Sequence, residues 1–225
     1  MFKASKSALL GQIFLFFHTE EMAMEYRAVG NRCAVTLNAL DVPLSREAIL
    51  SVLQQKGFTP INVDLIALAR QCITTSRYRR GARLSEAPAI VDCSSFVKWL
   101  YAQRGIWLPR RSIQQRDCGE AIELEYLVAG DVLFVSGWID YYHYDPRNGV
   151  GHVGIATGES TVIHAANSRA NVVESPVLEF VGETKFRGAR RYIPKGVEVV
   201  TFETPVEREI ETADDVRWVI LQSLS

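Results

Sequence analysis

No Cys-x-x-Cys pair, no internal repeat, no low-complexity tract and no excess of either charge marks this 225-residue chain, whose formal net charge is -1. Each absence removes a class of function. Four cysteines (Cys33, Cys72, Cys93 and Cys118) at irregular spacings are too few for a disulfide scaffold, and without paired spacing they do not read as zinc ligands. All four are expected as thiols, with Cys33, Cys72 and Cys118 buried as small hydrophobes. The balanced charge gives no reason to expect a nucleic-acid partner. The longest apolar stretch, Ala8 to Phe17, is about half of the roughly 20 residues that span a bilayer, so no stable membrane insertion is expected. That stretch follows Lys3 and Lys6 and imitates a signal-peptide core. Gln12 interrupts it, however, His18, Glu20 and Glu21 follow, and no small-x-small cleavage site is evident. It is read as no convincing signal peptide, which leaves the compartment open between the cytoplasm and export by another route.

What the chain does have is 48% apolar residues, enough for a full core in one or two domains. Apolar periodicity predicts helices over 7–28 and 45–56, the latter with Ser45 as N-cap and Gly57 as stop. A third starts near Asn62 as cap, and a fourth covers 93–104 before Gly105. After Leu108-Pro109 the pattern changes to short apolar runs at 132–135, 152–157, 161–166 and 189–193, separated by Gly, Asn and Ser. Those runs read as strands in an antiparallel meander, which makes the fold class α+β. A further strand over 197–202 and a helix over 214–224, capped by Thr212, are expected in the tail. Nine basic residues lie between Arg77 and Arg116, and six acids between Glu203 and Arg217. Both segments read either as solvated faces or as a basic rim and the acidic tail that docks on it.

The chemistry is carried by Cys93, in Asp92-Cys93-Ser94-Ser95-Phe96, at the expected start of a helix. Unpaired N–H groups there favour a thiolate and a developing oxyanion, with Asp92 as the natural N-cap. His152 opens a strand in which His152, Gly154 and Ala156 share one face lined by minimal side chains, open to close approach by a helix or a substrate. His164 lies twelve positions later. A five-residue turn, Ala156 to Ser160, places it directly opposite His152, where it can fix the tautomer that His152 presents to Cys93. A metal site built from His143, His152 and His164 lacks a fourth ligand. No metal or other cofactor is expected.

From about Asn62 to Ile193 these residues form an ordered set. Tyr78-x-x-Gly81 is followed by Asp92-Cys93-Ser94 with Phe96, Leu108-Pro109-Arg110, Ala129-Gly130-Asp131, His152-Val153-Gly154-Ile155, Ile163-His164-Ala165 and Gly188-Ala189-Arg190-Arg191. The set resembles the NlpC-type family of papain-like cysteine peptidases that cut peptidoglycan stem peptides. The resemblance implies helices packed on a central antiparallel sheet over 62–195; an N-terminal helical segment (1–61) and an acidic C-terminal extension (196–225) lie outside it. It implies Cys93 as nucleophile, His152 as base and then acid, and His164 as the residue orienting His152. Tyr78 is implied beside the nucleophile, and Asp92 and Ser94 at the substrate's amino end. Arg110 or Arg111 is available for substrate carboxylates. Two departures bear on the pocket. Ser95 stands where the family usually has Gly, which predicts a smaller pocket, and the Tyr78 turn lacks the usual tryptophan. The stretch 138–148, with Tyr141, Tyr142, His143 and Tyr144, reads as an insertion, either a lid on the substrate or a loop packed on its own domain.

The expected activity is hydrolysis of an amide through a thioester, on a peptidoglycan-derived peptide. Two other functions keep the same residues: a thiol-dependent acyltransferase or amidase on an intracellular substrate, and a catalytically silent wall-binding module. Oligomeric state is not legible.

Overall fold

The computed structural model describes residues 25–224. The helix expected over 7–28 falls almost wholly outside the described residues, and near its far end Arg27 instead bridges Thr212. The first elements are β1 (Arg32–Thr36) and α1 (Arg46–Gln55), the helix capped as expected by Ser45 Oγ, which accepts the Ala48 N–H at 3.3 Å. After β2 (Thr59–Ile61) comes α2 (Leu65–Thr75). Its cap is Asp64 rather than Asn62, because Asp64 Oδ1 accepts the N–H of both Ile66 and Ala67, at 3.0 and 2.9 Å. A carboxylate also complements the positive end of the helix.

A short parallel pair, β3 (Arg77–Tyr78) and β4 (Ile90–Val91), leads into α3 (Cys93–Gln103) and α4 (Ser112–Arg116). The chain continues through β5 (Glu120–Ile122), β6 (Val132–Val135), β7 (His152–Ala156), β8 (Thr161–Asn167) and β9 (Asn171–Pro176). It ends with α5 (Val177–Val181), β10 (Phe186–Arg191), β11 (Val199–Glu203) and α6 (Ala213–Leu221). The α+β class is as expected.

The main sheet is antiparallel throughout, in the order β5-β10-β6-β7-β8-β9. Three of the expected runs, β6, β7 and β8, pair consecutively as a meander, which β9, not expected from the sequence, extends. β10 departs from it by returning between β5 and β6. A buried ion pair marks the return: Arg191 on β10 donates to both oxygens of Asp131, just before β6, at 2.8 and 2.7 Å. One sheet face carries Val153, Ile155, Ile163 and Ala165 and packs on Phe96, Val97 and Leu100 of α3. The other carries Leu133, Val135, Ala156 and Val162 and packs on Phe180 and Val181 of α5. Both faces are therefore covered, which holds β7 at the centre of the sheet and α3 rigidly against it.

The flanks are not separately folded tails. β11 lies between β1 and β2, and with α1 and α6 these strands enclose a second core around Val35, Leu53, Phe58, Phe202 and Ile220. The N-terminal segment expected to be helical thus contains two strands whose partner lies about 140 to 170 residues away in the chain. Gly105 shows how closely this unit grips the end of α3. Its φ is +72°, and a Cβ there would lie 2.6 Å from the backbone of Cys33. Among the described residues, no acid from Glu203 to Asp215 forms an ion pair with the basic segment: Glu203 faces Arg32 at 3.6 Å, Arg217 faces Asp41 at 3.9 Å, and Arg104 of that segment meets the tail through the Val199 carbonyl at 3.1 Å.

Candidate active site

The N-terminus of α3 is built by Asp92. Its Oδ1 accepts the Ser95 N–H at 2.8 Å, while Ser95 Oγ accepts the Asp92 N–H at 2.8 Å, so cap and third residue satisfy each other. This corrects the expectation for Ser95. Its hydroxyl turns back into the cap, fully buried, and does not line the cleft. Asp92 Oδ2 also accepts the Gly81 N–H at 3.0 Å and Arg110 Nη2 at 2.5 Å, which draws the Tyr78 turn and the Arg110 loop to the same helix end.

Cys93 occupies the first helical position and faces a cleft of about 1100 Å³ that is also lined by Tyr78, Arg80, Arg111, His152 and His164. Burial is the largest influence on its thiol, and with the Asp92 carboxylate beside it pushes the pKa up to about 12. The N–H groups of Ser94 and Val153 and the Arg110 charge act in the other direction. Burial also holds His152 down at about 3, assisted by the neighbouring His164, and His164 at about 4. Isolated charges on this cysteine or on either imidazole are thus disfavoured, and the resting groups are a neutral thiol and neutral imidazoles.

His152 Nε2 and His164 Nδ1 are 2.9 Å apart. The two residues are not directly opposite, as the sequence suggested. Ile155 pairs with Ile163 and Ala156 with Val162, a register that continues to Gly154 opposite His164. Ala156 pairs within the strand, so the five residues between the last paired positions are 157–161 rather than 156–160, and the histidines meet on a diagonal. Gly154 permits this: a Cβ there would lie 3.0 Å from His164 Cβ and 2.5 Å from Val162 Cγ1. The small-residue face is approached not by α3 but by α5. The Phe180 ring packs on both imidazoles, with centroids 5.5 Å from His152 and 4.9 Å from His164, and helps exclude water from them.

The remaining expected residues are nearby. Tyr78 lies close enough to Cys93 for the thiolate charge, after burial, to raise its phenol pKa. Asp92, Ser94 and Arg110 line the cleft, but their polar atoms bond to one another, with Arg110 Nη1 2.8 Å from Ser94 Oγ and Arg110 Nη2 2.8 Å from the Ala82 carbonyl. Cys33 and Cys72 are buried as expected, whereas Cys118 is half-buried beside the Gln114 carbonyl. The insertion is an ordered loop pinned at its base. Asp140 accepts from Ser136 Oγ at 2.6 Å and from the Gly137 N–H at 2.7 Å, and His143 Nε2 contacts Asp117 at 2.7 Å. Trp138, Ile139 and Tyr141 from this loop line the cleft, with Trp138 98% exposed at its rim.

Sequence reasoning missed Phe180 and Ser175, whose Oγ lies 3.1 Å from His164 Nε2. The run 171–181 lacks strong alternation, and the importance of both residues depends on a register that no local signal encodes.

A cysteine at a helix N-terminus sharing one cleft with a histidine pair from an adjoining hairpin is the arrangement a thiol hydrolase requires. The NlpC/P60 family profile matches residues 75–191, just over half of the chain. The chain belongs to the NlpC/P60 family. Over 103 residues it is 32% identical to a gamma-D-glutamyl-L-lysine dipeptidyl-peptidase of Bacillus cereus, covering 46% of this chain and 29% of that protein. Over 121 residues it is 30% identical to a murein DD-endopeptidase/murein LD-carboxypeptidase of Escherichia coli, covering 53% of this chain and 57% of that protein. The matched region therefore spans less than two thirds of the length of either relative. A solved NlpC/p60 domain of the peptidoglycan hydrolase SagA aligns with a TM-score of 0.46 at 28% identity, over 56% of this chain and 95% of that one.

Proposed function

We propose that the chain is a cysteine amidohydrolase cleaving an amide bond in peptidoglycan stem peptides, with residues 62–195 as the catalytic unit and the flanks as accessory segments. The observation that carries this reading is the 2.9 Å contact between His152 Nε2 and His164 Nδ1 in the cleft that holds Cys93. With its hydrogen on Nε2 donated to His164, His152 keeps Nδ1 free to take the thiol proton.

As that proton moves to His152, the sulfur attacks the substrate carbonyl carbon. The oxyanion gathers at the first turn of α3, where the Cys93 N–H has no carbonyl one turn back to bond. The imidazolium passes its proton to the leaving amine, and a thioester remains. Water, losing a proton to the same imidazole, then hydrolyses it and returns the thiol. Burial disfavours either charge alone, but the transfer creates a neighbouring pair of opposite charges without changing the net charge of the site. Tyr78, Asp92, Ser94 and Arg110 shape the substrate-binding wall. Arg80 and Arg111 supply cations on the cleft for substrate carboxylates. The relatives named as murein or glutamyl-lysine peptidases support the choice of substrate.

The test is digestion of purified muropeptides by the protein and by its Cys93→Ala variant, with fragments identified by mass. Cleavage within the stem peptide by the first and none by the second is the expected result. Identical fragment patterns, or intact muropeptides with both proteins, contradict the proposal.

A further inference from the structure

Beyond the three residues of the proposed mechanism, the hydrogen-bonded line continues one step. His164 Nε2 lies 3.1 Å from Ser175 Oγ, on the far side of the ring from His152. Ser175 sits on β9 opposite Val162, which places it diagonal to His164, itself opposite Val173. It is half-buried and lines the same cleft.

We propose that Ser175 is a positioning residue for the reaction, acting through His164 on His152; this rests on the reading of Cys93 and His152 given above. A hydroxyl can donate or accept, and the resting tautomer proposed above, with the His152 hydrogen on Nε2, already has it accept from His164. Proton transfer keeps that direction and adds a charge. His152 then carries hydrogens on both nitrogens, so its Nε2–H must be donated to His164 Nδ1. Neutral His164 must hold its own hydrogen on Nε2, and that hydrogen needs an acceptor in a site from which Phe180 helps exclude water. Ser175 Oγ is that acceptor. No proton leaves the line: one passes from Cys93 to His152 Nδ1, and the other hydrogens stay on Nε2 of each ring. The charge on His152 polarises the line and strengthens each bond in it, so the serine stabilises the thiolate–imidazolium state more than the resting state, which is where a rate effect originates.

The experiment follows alkylation of Cys93 by iodoacetamide at pH 7, read from the mass of the peptide that carries it, in the protein as it stands and in four variants. This reaction reports thiolate formation and needs no peptide substrate, so its outcome is separate from the identity of the natural one. Ser175→Ala is expected to slow alkylation about tenfold, the loss of one neutral hydrogen bond. Ser175→Thr keeps the hydroxyl and stays within about twofold of the parent, whereas Ser175→Val, of the same shape without it, matches Ser175→Ala. Where a cleavable substrate is in hand, kcat falls with the alkylation rate and KM does not. Parent rates in both Ser175→Ala and Ser175→Val overturn the role of Ser175 while leaving the cysteine–histidine reading intact. A parent rate in the fourth variant, His152→Ala, overturns that reading itself.

Discussion

His152→Ala is expected to reduce kcat on a cleavable stem peptide by about 10³- to 10⁴-fold while leaving the fold in place. The imidazole is asked to take the thiol proton, protonate the leaving amine and deprotonate water, three steps that an alanine side chain cannot perform. The same burial that shapes this pair fixes its pH dependence. Burial lowers His152 from 6.5 to about 3, so protonation removes the base only as the pH falls well below the ordinary histidine range. It raises Cys93 to about 12, so the net-negative state appears only at high pH. Between those limits the pair is neutral overall and competent. The log of kcat/KM plotted against pH is expected to be flat from about pH 5 to 9, with its acid limb below about 5. A bell with its acid midpoint at 6.5 contradicts the buried pair, and a variant that keeps more than a tenth of the parent kcat contradicts the role of His152.

Asp131→Ala is expected to cost about 3–5 kcal/mol of stability, because it strands the Arg191 guanidinium among buried groups. The Arg191 side chain is 9% exposed and that of Asp131 1%, and Arg191 donates to both carboxylate oxygens. Asp131 also accepts the Val128 N–H at 2.8 Å, so one carboxylate fixes the approach to β6 and the position of β10. At this chain length the loss lowers the thermal midpoint by roughly 6–20 °C. The site feels the change through β6, whose Val135 pairs with His152. A loss below about 1 kcal/mol, measured by denaturant unfolding, contradicts the structural role given to the pair.

Asp92 and Asp131 illustrate what the residues disclosed in advance. Asp92 was legible because a cap is local: an acidic residue immediately before an amphipathic run has one obvious use, and the structure puts it to that use. The amphipathic run itself set which side of α3 meets the sheet. Ser45 and α1 followed for the same reason, while α2 moved its cap by two residues because two candidate caps lay close together. Asp131 was visible only as part of a motif. Its partner lies 60 residues away and depends on β10 returning beside β6, a long-range pairing that strand periodicity does not encode. The union of both flanks through β11 was illegible for the same reason, as alternation identifies a strand but not its neighbour. At the site, residue types and strand alternation placed His152 and His164 on one face. They did not give the diagonal between the two, because Ala156 was counted as turn instead of strand. Phe180 and Ser175 depend on that register and on a five-residue helix too short to show a period.

The central claim is that one thiol, Cys93, performs the chemistry. It is tested most directly by plotting residual hydrolysis of the stem peptide against the fraction of Cys93 alkylated by iodoacetamide, with Cys33, Cys72 and Cys118 quantified separately by peptide mass. The account predicts a straight line that reaches zero activity when Cys93 is fully modified, whatever the state of half-buried Cys118. Protein alkylated completely at Cys93 that still hydrolyses the peptide contradicts it.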